Sequence, residues 1–264
     1  MPAFSSVLCA VDASNLAPRV LRHAVGFAAL CGARLSVLTV TDGDRRGAEH
    51  GLAELLGRVM LVYASPAAPP RIHAVRLGAG QVADVILELA RHDVDLVVAG
   101  THAADRPRWR LGPTSAALLA GALGPTLLVP PGQLEIVTPA VDAASLRPGT
   151  ILAAIDLSEP NAAQLRLASQ LAVLARQPLA LMTVVGPDMT PEEADQALRA
   201  RGQELACMVE KFIVRRGDVA EETDRVAVAE RAGLVQEERR HGRRFRQRAQ
   251  GRRVEVPWIS RWLP

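Results

Sequence analysis

The chain has 264 residues, 49% of them hydrophobic but only 3% aromatic, with 31 basic against 28 acidic side chains. That length fits one large or two ordinary domains, and a core of Ala, Val and Leu suits buried parallel strands covered by small-residue helices. No run of about 18 apolar residues occurs, which argues against a membrane span, and Cys9, Cys31 and Cys207 are too scattered for a CxxC pair or a disulfide framework.

The opening MPAFSSVLCAVDAS passes into a strand-like run without a basic n-region or a separate apolar stretch. No secretory signal is expected, and with the unpaired cysteines this points to the cytoplasm. The run SVLCAVD predicts a first strand. Leu16, Val20, Leu21, Ala24, Phe27, Ala28 and Leu30 recur at helical spacing after it, with Ser14 as the expected N-cap. LSVLTVT predicts a second strand, so the segment reads as a right-handed βαβ unit. A helix over roughly 48–64 follows, then the strand RIHAVRLG (71–78), an amphipathic helix over 81–95 and the buried strand LVVAG (96–100). A basic loop leads to the helix SAALLAGAL (115–123) and a last strand in PTLLVPP (125–131). Five strands alternating with four helices predict an open, doubly wound parallel sheet.

Residues 132–149 are rich in Pro and Gly and lack periodicity, which marks a linker between a domain at 1–131 and another at 150–264. The second domain repeats the first. VLCAVDASNLAPRVLRHAVGFAALCGARLSVLTVT from Val7 aligns without a gap on ILAAIDLSEPNAAQLRLASQLAVLARQPLALMTVV from Ile151, with Asp12 on Asp156 and Ser14 on Ser158. About a third of the 35 aligned positions are identical. A period this long means duplicated domains and not a solenoid. In the second copy TPEE offers a capping box, with Thr190 as N-cap, Pro191 at N1 and Glu193 at N3. KFIVRRG and DVAEETDRVAVAERAG predict a strand and a helix, and VEVPWI (254–259) a last strand, so the second sheet is expected to be an incomplete copy of the first.

From Glu237 onward nine arginines face three acids, +6 for a chain whose net charge is +3, so the residues before it sum to −3. The basicity belongs to the tail. No nucleic-acid module accompanies it, so non-specific polyanion contact is expected in place of specific nucleic-acid binding. GAGQVA (78–83) matches a dinucleotide fingerprint, but the loop after the first strand, DASN, has no glycine and no acid closes the strand after it. It reads as a tight turn into a helix. The six histidines show no metal spacing, GPTS is not a nucleophile elbow, and no catalytic set can be assembled.

Taken in order, VLCAVDAS, GAGQVADVI, DLVVAGTHA, LGPTSAALL and GPTLLVPP resemble the universal stress protein family over 5–131, and ILAAIDLSEP and RRGDVAEE carry the same resemblance from 150 to about 235. The resemblance implies a tandem pair of Rossmann-like domains of the adenine-nucleotide-hydrolase kind. It also implies ATP as the candidate ligand of the nucleotide-binding members, and a pseudo-dimer of the two domains within one chain, through the strands TLLVP and VEVPWI. A homodimer and unknown protein partners stay open beside it; no membrane partner is expected. Those members carry Gly-x-x-Gly, about nine residues, then Gly-Ser or Gly-Thr, an anion cradle of backbone amides at a helix N-terminus. Carried over, the nucleotide contacts fall on Ala10, Asp12, Val40, Gly100, His102, Gly112, Thr114 and Ser115, with Asp12 (Asp156 in the second copy) at the adenosine end. A solvated loop residue is the other reading of His102, and helix-start charge the other reading of both aspartates. The chain departs from the pattern where it matters most. Ala103 replaces the second glycine, the spacer is one residue short, and Pro113, which has no amide hydrogen, stands at the Ser/Thr position. Thr114 and Ser115, with Arg106, Arg108 and Arg110, offer partial compensation. The expected function is a non-catalytic stress-response or signalling module on a nucleotide-binding fold with a degraded phosphate loop. An ATP-binding or slowly ATP-hydrolysing protein using the first domain, and a pure protein-interaction module, are the alternatives.

Overall fold

Apolar runs of strand length alternate with helical periodicity twice along the chain, and the backbone follows them. A computed structural model describes residues 3–41, 43–63, 72–101, 112–121, 124–131, 137–139, 144–146, 148–238 and 259–262. It divides into two compact units, Met1–Arg147 and Pro148–Trp262.

In the first unit β1 (Ser6–Ala10), β2 (Arg34–Val40), β3 (Ile72–Gly78), β4 (Leu96–Gly100) and β5 (Thr126–Val129) make a sheet in the order β5-β4-β1-β2-β3, every neighbouring pair parallel. Helices α1 (Ala17–Cys31), α2 (Arg45–Tyr63), α3 (Val82–Ala90) and α4 (Pro113–Gly121) make the connections. The chain lays down β1, β2 and β3 in one direction and then returns to place β4 and β5 on the other side of β1. Right-handed crossovers therefore put α1 and α2 on one face and α3 and α4 on the other. On the α3–α4 face Leu8, Leu38, Ile86, Val97, Leu118 and Leu128 form one buried cluster. The expected doubly wound sheet is what forms.

Several boundaries differ from the sequence reading. Ser14 does not cap α1. Leu16 is the N-cap residue, and the Ser14 hydroxyl instead accepts from the Leu16 amide at 3.3 Å, while Pro18 sits in the first turn, where a missing N–H costs nothing. α1 ends at Gly32, whose φ of 65° sends its amide back to the carbonyls of Ala28 and Ala29. α3 stops at Ala90, short of the expected 95, in a turn that places Asp93 at φ 54°. The segment read as an irregular linker contains two short antiparallel strands, β6 (Val137–Pro139) and β7 (Ala144–Leu146). Three-residue strands lie below the length at which period-two patterning is visible.

In the second unit β8 (Thr150–Ala154), β9 (Leu179–Val185), β10 (Val209–Arg216) and β11 (Ala232–Glu238) pair in parallel in the order β10-β9-β8-β11, with a four-residue β12 (Ile259–Trp262) alongside β11. α5 (Ala162–Ala175), α6 (Pro191–Gln203) and α7 (Val219–Ala229) complete it among the described residues, one helix fewer than in the first unit. The capping box of α6 forms as read: the Thr190 hydroxyl accepts from the Glu193 amide, and the Glu193 carboxylate accepts from the Thr190 amide. Those hydrogen bonds hold the Glu193 carboxyl below its usual range. Of the run expected as the last strand, only Ile259 is among the described residues. The strand there begins at Ile259.

Candidate functional site

In an open α/β sheet the crevice lies where strand order reverses, outside the carboxyl ends of the strands. In the first unit that place is between β1 and β4. Its walls are the turn after β1, the end of β2, the end of β4 and the start of α4.

The β1 wall is a tight turn. Asp12 is exposed, and its Oδ1 accepts from the Ser14 amide at 3.0 Å, so one carboxylate oxygen shapes the turn. The Val11 amide donates to Leu38 O at 2.9 Å, and the buried Thr39 hydroxyl donates to Val11 O at 2.8 Å. These bonds fix where Asp12 leaves the sheet. Ala10 and Val40 are half-buried and pack on the core cluster beneath. Val40 also lies beside Gly78, where an added Cβ would come 3.4 Å from Val40 Cγ2 and 2.7 Å from Val85 Cγ1.

The β4 wall is glycine for a packing reason. A Cβ on Gly100 would come 2.9 Å from Leu16 Cδ2 and 3.4 Å from Val20 Cγ2, so α1 lies too close for a side chain without a shift. Leu16, read in the sequence as a core position and not as a site residue, therefore belongs to this wall. Its signal was present as the first apolar position of the α1 stripe.

At the start of α4 the polar groups point into the fold. The Gly112 amide donates to Thr101 O at 2.8 Å. Ser115 is 3% exposed, and its hydroxyl lies 2.7 Å from Gly100 O and 3.0 Å from Thr101 O, both of which it can only donate to. Pro113 brings no amide hydrogen. Of the donors that a helix start offers an anion, Gly112 and Pro113 supply none here, which leaves the Thr114 and Ser115 amides and the half-buried Thr114 side chain. The fold thus brings Ala10, Asp12, Val40, Gly100, Gly112, Thr114 and Ser115 to the carboxyl end of one sheet. His102, Ala103 and the three loop arginines lie outside the described residues.

The second unit repeats the turn and changes what lies across from it. Asp156 Oδ1 accepts from the Ser158 amide at 3.0 Å and from the Ser158 hydroxyl at 2.7 Å. Strand register gives the opposite wall. Gln236 pairs with Ala153 and Glu237 with Ala154, as Val98 pairs with Cys9 and Ala99 with Ala10. Glu238 therefore stands where the first unit has Gly100.

An open groove of about 780 Å³ also runs beside β3 and α3, lined by Leu38, Arg76, Gly78, Gln81, Asp84 and Glu88 among others. None of the residues expected in the nucleotide site lines it. Among the described residues no three His, Cys, Asp or Glu side chains cluster as a metal site, and no helix is long and apolar enough to cross a membrane. Burial pushes the Cys31 thiol up to about 11 and that of Cys9 further still, which makes both poor nucleophiles.

The comparisons with known proteins agree with this architecture. The model of the universal stress protein family matches residues 3–130. A universal stress protein from Pseudomonas aeruginosa UCBPP-PA14 is similar in structure, with a TM-score of 0.68 and 19% identity, covering 98% of this chain and 93% of that one. A protein of unknown function from Pseudomonas aeruginosa PAO1 gives a TM-score of 0.67 at 18% identity over 98% and 92% of the two chains. A universal stress protein from Archaeoglobus fulgidus gives 0.64 at 16% identity over 97% of each. No curated protein matches the sequence at a significant level. Residues 3–130 thus match the universal stress protein family, and the second unit carries a further parallel α/β sheet.

Proposed function

We propose that this chain is a non-catalytic stress-response module whose first unit keeps the adenosine end of a nucleotide crevice and has weakened the phosphate end. The observation that carries this reading is the start of α4. The Gly112 amide and the Ser115 hydroxyl are turned onto the carbonyls of Gly100 and Thr101, and Pro113 has no hydrogen to give. The loss of about two donors to a charged group, each worth roughly 1.5–3 kcal/mol, lowers affinity by two or more decades. Asp12 remains exposed at the mouth, where a ribose hydroxyl can reach it. In this reading Ala10, Asp12 and Val40 receive the adenosine. Gly100, His102, Gly112, Thr114 and Ser115 border the phosphates, with Ser115 positioning the helix start from within. The two domains form a pseudo-dimer in one cytoplasmic chain, a placement supported by buried, unpaired Cys9 and Cys31.

Isothermal titration with ATP tests the assignment. Binding to the parent chain is expected to be weak, lost in Asp12→Ala and kept in Asp156→Ala. Equal losses in both variants would show that the site has been placed wrongly. Tight binding by the parent, or ATP turnover that survives further purification, would favour the ATP-using alternative.

A further inference from the structure

The second unit departs from the first inside its core as well as at its mouth. On the gapless repeat Gln164 occupies the place of Val20, and by strand register Gln236 occupies that of Val98. In the first unit those valines are 2% and 0% exposed. In the second, Gln164 and Gln236 are just as deeply enclosed, at 2% and 1%, and Asn161, one turn before Gln164 on α5, is 2% exposed. Three amide side chains thus stand in a core whose sister copy is apolar at all three positions, Asn161 falling on Ala17, which is 3% exposed.

Each side-chain nitrogen donates. Gln164 Nε2 donates to Ala154 O at 3.0 Å and to Gln236 O at 3.4 Å. Gln236 Nε2 returns to Gln164 O at 3.1 Å, and Asn161 Nδ2 donates to the carbonyls of Asp156 and Glu159. Together they stitch β8, β11, α5 and the Asp156 turn. Every one of these bonds consumes a donor and a backbone acceptor. The side-chain oxygens Asn161 Oδ1, Gln164 Oε1 and Gln236 Oε1 are buried and receive no hydrogen bond from the described residues. A buried acceptor without a donor is costly, and three on adjoining side chains call for a species that brings hydrogens.

We propose that this junction is an internal hydration site, at which one or two ordered water molecules donate to the three amide oxygens. Water fits because a buried molecule makes about three hydrogen bonds to polar groups of this kind. A monovalent cation would also suit neutral oxygens. It would have to lie at the N-terminus of α5, where Asn161 is the N-cap residue and the helix dipole presents its positive end. A neutral donor avoids that repulsion. The consequence is a wet polar lock beneath the Asp156 turn.

The test is a crystal structure of the full chain at about 1.5 Å, with melting curves of three variants. Solvent density within hydrogen-bond distance of at least two of the three oxygens is expected. Gln164→Val removes the donor to the Ala154 and Gln236 carbonyls, Gln236→Val removes the donor to the Gln164 carbonyl, and each takes one amide oxygen from the shared water. Each is expected to lower the melting temperature by roughly 2–6 °C. The double variant, which rebuilds the valine pair of the first unit, is expected to recover most of that loss and to show no solvent at the junction. A dry junction in which the amide oxygens accept from protein N–H groups overturns the proposal. So does a melting temperature that depends on sodium, potassium or ammonium against choline at constant ionic strength, since the occupant is then a cation. Strictly additive losses in the double variant overturn it as well.

Discussion

Ser115 and Gly112 show how a single contact decides between a structural and a binding role. A hydroxyl at a helix start reads equally well as a phosphate ligand or as a brace. Here it is a brace, because the two carbonyls ending β4 lie within 3.0 Å of it and the side chain is buried. Ser115→Ala is expected to cost about 1–3 kcal/mol in a denaturant titration, the penalty for removing one partner of a buried hydrogen bond. A neutral substitution would mean the hydroxyl is dispensable to the fold and free for a ligand. Pro113 offers the opposite case. It is exposed, so Pro113→Ser should disturb little packing while restoring an amide hydrogen and a hydroxyl at the first helical position. ATP affinity is expected to rise about tenfold, near 1.4 kcal/mol. The gain stops there because the Gly112 amide remains on Thr101 O. An unchanged titration curve would place the defect in the shortened spacer.

Helix α1 is buried on most of its surface, and it carries a titratable group into that environment. His23 is 1% exposed, and its Nδ1 lies 2.7 Å from Arg19 O, which only accepts, so Nδ1 bears the proton of the neutral ring. Burial lowers its pKa from the usual 6.5 to about 4. The unfolded chain therefore holds more protons than the folded one between those values. The stability linked to His23 is complete above about pH 6.5 and is lost progressively as pH falls towards 4, with an upper limit of about 3 kcal/mol. His23→Leu should flatten the acid limb of a stability–pH curve; a parallel limb in the variant would assign the acid sensitivity to other groups. At this scale much was legible in the residues. LVVAG predicted β4 to its limits, and TPEE predicted the α6 capping box, because both signals are local. The walls of the site were legible as positions: Asp12 after β1, Gly100 after β4. The directions of the Gly112 amide and the Ser115 hydroxyl were not, since their partners lie 11 to 15 residues away across the sheet. Gln164 beneath Val20 was visible in the repeat itself. Gln236 opposite Val98 became visible only through strand register, because the repeat loses its gapless alignment before β11.

For the molecule as a whole, the charge is divided as sharply as the chemistry. Nine arginines follow Glu237 while the preceding residues sum to −3. A polyanion meeting this chain is therefore attracted at one end and repelled by the rest, which favours loose, salt-sensitive contact over a shaped interface. Duplex DNA of any sequence is expected to bind weakly at about 50 mM salt. With some five phosphates neutralised, affinity should fall roughly 10²–10³-fold by 200 mM. Replacement of Arg239, Arg240, Arg243, Arg244, Arg246 and Arg248 by Gln should abolish that binding and leave the ATP titration of the first unit unchanged, because none of them is among the residues assigned to the nucleotide. Fluorescence anisotropy with two unrelated duplexes across a salt series reads both the slope and any preference. A preference of more than about tenfold for one duplex, or a slope near zero, would show that the arginines serve a specific partner and that the tail is more than a charged appendage.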